Sequence, residues 1–334
     1  MTVFCILIKI FNRMKKLLLL LHVTLFFTCT EKNIIQELNS KYERNSLLWK
    51  IEKNNETSYL FGTTHIMCKE EMQYKEILYG LVNEVDVIVT EINDKEIDGD
   101  PMPFGKGMFG IEIPENYKQK NLFSKKGIDM LKTYYKDRDI NDYFIDLMIN
   151  TDIISASLIE AMISMMNMGC DLTGSELYIE SINNIKEYEK EELFLESDLE
   201  VKDILEKLID FTYQNADFSD LNIEAYISYN IKMNSDEELL NGMKNYNNND
   251  PLTEYENFLS LADPLDPNYN FSKLLVDGVV EFLLKERNIM WIPRMIKIME
   301  DENSALFAVG ALHVLDLVIR LEKEGYKLTP LEIL

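Results

Sequence analysis

The sequence predicts an α/β fold, and three observations carry that reading. The chain opens on a strand–helix–strand pattern. It closes on the same grammar: the apolar run Ser304–Gly310, a helical stretch His313–Glu324 and a last strand Tyr326–Thr329. At 334 residues, with 46% apolar and 28% charged residues, the chain is long enough for a sizeable core and has an ordinary globular composition.

Taken in order, residues 1–29 read as a targeting segment. Lys9, Arg13, Lys15 and Lys16 precede the apolar run Leu17–Phe27, and no acid interrupts them. That run is shorter than the ~20 residues a spanning helix needs, so it reads as a secretory h-region, with Met14 an alternative start. Leu25–Cys29 resembles a bacterial lipobox, which makes Cys29 a candidate lipidation site; an ordinary cleaved signal is the alternative. Either reading places the protein outside the cytoplasm, at the cell envelope, held to a membrane by its N-terminal lipid or anchor, or in the periplasm. Residues 30–45 are polar and read as a tether, and 46–334 as one domain.

Within that domain, Leu47–Glu52 and Ser58–Gly62 read as a hairpin around the turn Asn54–Thr57. Glu70–Asn83 carries Met72, Ile77, Leu78, Leu81 and Val82 at helical spacing. Val85–Glu91 is β-branched and reads as a buried strand. Asp94–Glu115, with its glycines, prolines and acids, reads as a loop. A helical middle follows over about 115–300, broken by a short strand at Glu192–Glu196 and a rigid loop at Asp263–Pro267. The methionines at 162, 165, 166 and 168 read as adaptable core or groove lining. Phe271–Met299 reads as one long helix that Pro293 kinks or restarts.

Charge and cysteine content exclude several functions. The net charge is −24, which repels phosphate backbones and disfavours nucleic acid as a partner. The four cysteines, Cys5, Cys29, Cys68 and Cys170, form no CxxC pair, which excludes zinc-ribbon sites, and are too few in 334 residues for a disulfide scaffold. Pairing of Cys68 with Cys170 in an oxidising compartment stays open.

Beyond the targeting segment the chain has two histidines, and both fall in one context: an apolar strand, a glycine, two residues and a histidine. The first is Gly62-Thr-Thr-His65 and the second Gly310-Ala-Leu-His313. Glycine permits a tight turn or a close approach, and a histidine there projects from a strand's carboxyl end, where α/β sheets place ligands. Two imidazoles and a carboxylate make a metal set. Glu91, at the end of its strand, is the leading third ligand, and Glu196 a second carboxylate. Arg287, an always-charged fork of donors, could hold Glu91 or bind an oxyanion, or could be an ordinary surface helix pair. Arg294 could take the same structural role.

Leu48-Trp49-Lys50, Tyr59–His65, Val85–Glu91, Leu195-Glu196, Glu286-Arg287-Asn288 with Trp291, and Phe307–His313 with Gly325-Tyr326 together resemble the TraB/PrgY/GumN family, which includes the animal Tiki proteins. The resemblance covers both ends of the domain in order. It implies a fold shared with erythromycin-esterase and ChaN-like proteins: a central mixed sheet of two related halves, each ending in a GxxH turn at Gly62 or Gly310, wrapped by a large helical insertion. From the Tiki proteins it implies metal-dependent proteolysis, with His65, His313 and Glu91 as metal ligands and Arg287 in support. The expected cofactor is a divalent ion (Mn, Co, Zn or Fe), and the expected substrate a peptide or small molecule. A haem- or metal-binding lipoprotein without turnover and a metal-free esterase-like hydrolase are the alternatives.

Overall fold

The computed structural model describes residues 46–64, 74–92, 111–168, 190–216 and 248–331 except 263 and 266, together with 179, 182–183, 222–224, 226–227, 230, 244 and 246. The chain divides into two units, Met1–Asn45 and Ser46–Leu334, and all described residues belong to the second. The targeting segment, Cys29, His65, Cys68 and Cys170 lie outside the described residues, as does the loop expected at 94–115 up to residue 110.

A mixed six-stranded sheet forms the centre. In chain order its strands are β1 (Leu48–Lys53), β2 (Glu56–Thr63), β3 (Val87–Ile92), β4 (Glu191–Glu196), β5 (Ala305–Gly310) and β6 (Lys327–Pro330). In space they run β4-β3-β5-β2-β1-β6. β4, β3, β5 and β2 are mutually parallel, so four carboxyl ends share one edge, while β1 runs antiparallel between β2 and β6.

Local chemistry sets these elements. The β1–β2 hairpin closes through Asn54 and Asn55 at φ 52° and 72°, the pair of left-handed residues that a primed two-residue turn requires and that asparagine tolerates. β5 lies between two parallel neighbours, and its residues Ala305 to Val309 are wholly buried, which is why it reads as an unbroken apolar run. Helix α1 (Lys75–Glu84) buries Leu78, Leu81 and Val82. Val85 still closes its last turn through N–H to the Leu81 carbonyl, so β3 begins at Val87 rather than at the expected Val85.

The helical middle comprises α2 (Gln119–Leu122), α3 (Lys125–Asp137), α4 (Asp142–Ile149), α5 (Ile153–Asn167), α6 (Asp198–Asn215), α7 (Pro251–Ser260) and α8 (Tyr269–Gly278). Asp152 caps α5 by accepting from the N–H groups of Ile154 and Ser155. The methionine stripe on α5 is not a single face. Met165 is buried but Met166 is 48% exposed, because adjacent helical positions point about 100° apart.

A π-helical segment, Val279–Glu286, joins α8 directly to α9 (Arg287–Asp301). The break expected at Pro293 is therefore misplaced: Pro293 sits inside α9, and the irregular winding lies a full segment earlier. Proline removes the bond to the carbonyl of residue 289, but Ile289 is 52% exposed, so water can serve that carbonyl and the helix continues. Finally α10 (Ala311–Lys323) leaves the end of β5 and buries Val314, Leu315, Leu317, Val318 and Leu321 over the sheet. It stops in a Schellman arrangement: Gly325, at φ 85°, donates to the Glu322 carbonyl and Tyr326 to that of Leu321.

Gly62 in β2 shows how tightly α10 packs on the sheet. A β-carbon there would lie 2.7 Å from Leu47 Cδ2, 2.9 Å from Val314 Cγ2 and 3.2 Å from the Ala311 backbone. Gly62→Ala is expected to lower stability by about 1–3 kcal/mol through overpacking. Gly80, exposed on α1 with nothing within 4 Å of such a carbon, supplies the opposite case. Gly80→Ala should stabilise by roughly 0.4–1 kcal/mol. Urea midpoints of the two variants beside the wild type check both signs.

Candidate functional site

Four side chains from four elements meet at the shared carboxyl edge. Glu91 stands one residue from the end of β3 and Glu196 ends β4. The register opposes Ile92 to Glu196, so the two glutamates are one step out of phase along the pair. Arg287 is the first residue of α9, and His313 lies in the first turn of α10, just past β5.

Arg287 joins them. Its Nη2 donates to Glu91 Oε2 at 2.6 Å and also to Glu196 Oε1. Its Nε donates to both Glu196 oxygens, at 2.9 and 3.2 Å. Its Nη1 lies 3.3 Å from His313 Nε2. The Trp291 indole lies beneath, its ring centroid 4.6 Å from the guanidinium carbon and 4.5 Å from the His313 ring. The indole N–H also donates to Glu196 Oε2 at 3.2 Å. Glu91 Oε1 accepts the Gly310 N–H at 2.6 Å. A β-carbon on Gly310 would stand 3.2 Å from Glu91 Oε1 and 3.4 Å from His313 Cδ2, so the glycine here serves close approach.

The group is nearly dry. The side chains of Arg287, Glu91 and Glu196 are 12%, 7% and 0% exposed. Burial raises the Glu196 carboxyl, with the charge of Glu91 adding to it, while hydrogen bonds from Arg287 and Trp291 oppose the rise. Burial also works against the Arg287 charge, but Glu91 and Glu196 outweigh it and hold the guanidinium above its ordinary value.

A second layer holds the imidazole. His313 Nδ1 lies 2.7 Å from Asn288 Oδ1, Asn288 Nδ2 donates to Asp316 Oδ2 at 3.0 Å, and Arg320 Nε donates to the same oxygen at 2.6 Å. Sequence reading passed over Asp316 and Arg320. The signal was present in their spacing, since positions 313, 316 and 320 follow one stripe of α10. Tyr246 was also missed: its hydroxyl donates to the Gly62 carbonyl at 2.9 Å. No periodicity in the sequence marks a partner so remote.

Of the expected site residues, the structure thus brings together Glu91, Glu196, Arg287 and His313. His65 lies outside the described residues. β2 does bring its end to the same edge, with Gly62 opposite Val309 and Thr63 opposite Gly310. Arg294 takes a structural role outside the cluster: it pairs with Glu200 at 2.5 Å and donates to the Leu195 carbonyl, bracing the carboxyl end of β4. Among the described residues, no group of three or more His, Cys, Asp or Glu is arranged to hold a metal ion. A cavity of about 50 Å³, lined by Ile51, Lys53, Met299 and Tyr326 among others, lies at the opposite edge of the sheet.

The family model described as the TraB/PrgY/gumN family matches residues 47–330. The chain belongs to the TraB/PrgY/gumN family. That match spans the sheet, Gly62 and Gly310, and the helix that carries Arg287 and Trp291. No curated protein and no solved structure matches the chain.

Two outcomes are expected. Arg287→Met leaves two buried carboxylates without their cation, which should cost about 3–5 kcal/mol at neutral pH. In urea unfolding that loss should shrink as acid protonates the carboxyls; a loss independent of pH would contradict the arrangement. At the outer pair, Arg294, with the Ser197 N–H after it, pulls Glu200 down to about 2. An unfolded glutamate titrates near ~4.3, so this pair's contribution is complete above that value and is lost as pH falls toward 2. The melting-temperature gap between wild type and Arg294→Gln should therefore be widest near neutrality and narrow in acid. Part of the gap should survive from the lost Leu195 carbonyl bond.

Proposed function

We propose that this protein is a hydrolase acting outside the cytoplasm, with His313 Nε2 as its working nitrogen and a carbonyl-bearing substrate, a peptide by the family resemblance. The observation that carries the reading is the meeting of His313 with the buried Arg287, Glu91 and Glu196 at the carboxyl edge of parallel strands, where such sheets present their ligands. The basic, then apolar, segment before Cys29 supports export and a membrane anchor; among the described residues no helix is long and apolar enough to cross a membrane.

The donor set suits a divalent ion by its chemistry. An imidazole whose second nitrogen is held by an amide oxygen is the usual surrounding of a ligating histidine, and a carboxylate lies beside it. His313 and Glu91 would hold the ion, with His65 as the expected third ligand, and the ion would lower the pKa of a bound water. The remaining work belongs to the chain. Arg287, kept charged by its two glutamates, has one Nη1 hydrogen beyond those directed at Glu91, Glu196 and His313, and offers it to a developing oxyanion. Glu196, raised by burial, is suited to carry a proton between water and leaving group. The Gly310 N–H fixes Glu91, and the Trp291 indole lies beneath the guanidinium at 4.6 Å as an apolar wall.

One observation favours a metal-free variant of the same chemistry. Arg287 already neutralises both carboxylates and faces His313 Nε2, so a cation is present within the chain itself. In that variant His313 takes the proton from water directly.

His313→Ala is expected to abolish hydrolysis across a peptide and ester panel, by 10²-fold or more, while leaving the unfolding free energy from urea titration within about 2 kcal/mol of wild type. Elemental mass spectrometry of the full chain should find near-stoichiometric metal that the variant lacks. Activity that resists strong chelators would select the metal-free variant, and full activity in His313→Ala would end both readings.

A further inference from the structure

We infer that Asp316 is a positioning residue that, through the amide of Asn288, fixes the ring proton of His313 on Nδ1 and leaves Nε2 unprotonated. The inference rests on which groups can donate. Asp316 lies one helical turn after His313 on α10 and receives the Arg320 guanidinium a turn further on. A carboxylate only accepts, so the amide nitrogen of Asn288 must face it, as the 3.0 Å bond from Nδ2 to Oδ2 has it. Asn288 is wholly buried, and its oxygen is thereby turned to the imidazole at 2.7 Å. An amide oxygen also only accepts, so His313 Nδ1 must donate. At the far side of the ring stands Arg287 Nη1, 3.3 Å from Nε2, and a guanidinium can only donate.

Both neighbours therefore specify one tautomer. A flipped Asn288 would set its oxygen against the Asp316 carboxylate and lose a charge-assisted bond. Asp316 thus acts on the ring through one intervening residue, Asn288. It decides which imidazole nitrogen presents a lone pair to the strand ends, whatever that lone pair then does. The claim concerns one proton and holds independently of the hydrolysis proposed above.

The histidine content makes this directly measurable, since the full chain has three histidines. Nitrogen-15 labelled histidine in the full chain, treated with EDTA, gives three ring pairs, and the pair missing from His313→Ala is that of His313. The wild type is expected to show Nδ1 in the N–H range and Nε2 in the unprotonated range. In Asp316→Asn the Asn288 amide can turn either way, and the ratio of tautomers should fall roughly tenfold or more, moving both shifts toward each other. The double variant Asn288→Asp with Asp316→Asn exchanges carboxylate and amide, restores a fixed acceptor beside Nδ1, and should restore the wild-type pattern even if the single variant folds poorly. A wild-type ring protonated on Nε2, or an Asp316→Asn spectrum identical to wild type, would overturn the inference. Because no turnover is read, the outcome stands apart from whether the protein hydrolyses anything.

Discussion

The guanidinium of Arg287 is the constraint from which the rest of the site follows. Glu91 and Glu196 bring two negative charges to neighbouring strand ends with almost no solvent, and such a pair is tolerable only beside a cation. Arg287 meets both with two nitrogens, turns the third to His313 and lies over the Trp291 ring, a task the single ammonium of lysine could not perform. The requirement propagates outward. α9 must begin just there, α10 must deliver His313 to the same point, and Gly310 must lack a side chain so that Glu91 can reach its N–H.

The surrounding layers supply rigidity in graded form. The innermost contacts are charged and buried. The next, His313 to Asn288 to Asp316, binds two helices by side-chain hydrogen bonds. The outermost, Arg294 with Glu200 and the Leu195 carbonyl, ties the carboxyl end of β4 to α9 from a half-exposed position. Such a series holds donors and acceptors in place before a ligand arrives, which is what electrostatic preorganisation requires.

Much of this was legible in the sequence, for identifiable reasons. β5 and β3 announce themselves because a strand buried on both faces needs an uninterrupted apolar run. Gly62 and Gly310 could be singled out because glycine is informative where side chains would collide, and at both a β-carbon would meet its neighbours. Glu91, Glu196 and Arg287 could be nominated from strand ends and charge. What escaped was register and phase. Nothing in the spacing of Phe271 to Met299 distinguishes a π turn from a proline break, because both disturb the same apolar period. Asp316 looked like one acid among 58 acidic residues; its spacing from His313 and Arg320 marks a shared stripe, but its partner Asn288 comes from another helix and no spacing points to it.

The π segment has a consequence for how the two halves of that long helix relate. Each π turn closes over one residue more than an α turn, so Val279–Glu286 shifts the angular phase of everything before it relative to Arg287. Upstream, Gly278 lies so close to α6 that a β-carbon would stand 2.6 Å from Leu208, while downstream α9 is bound to the site. The segment thus works as a phase coupler between a helical insertion and a fixed constellation. Adding or removing a residue there would turn the upstream helices against the guanidinium, so the winding of this short segment sets how the two meet.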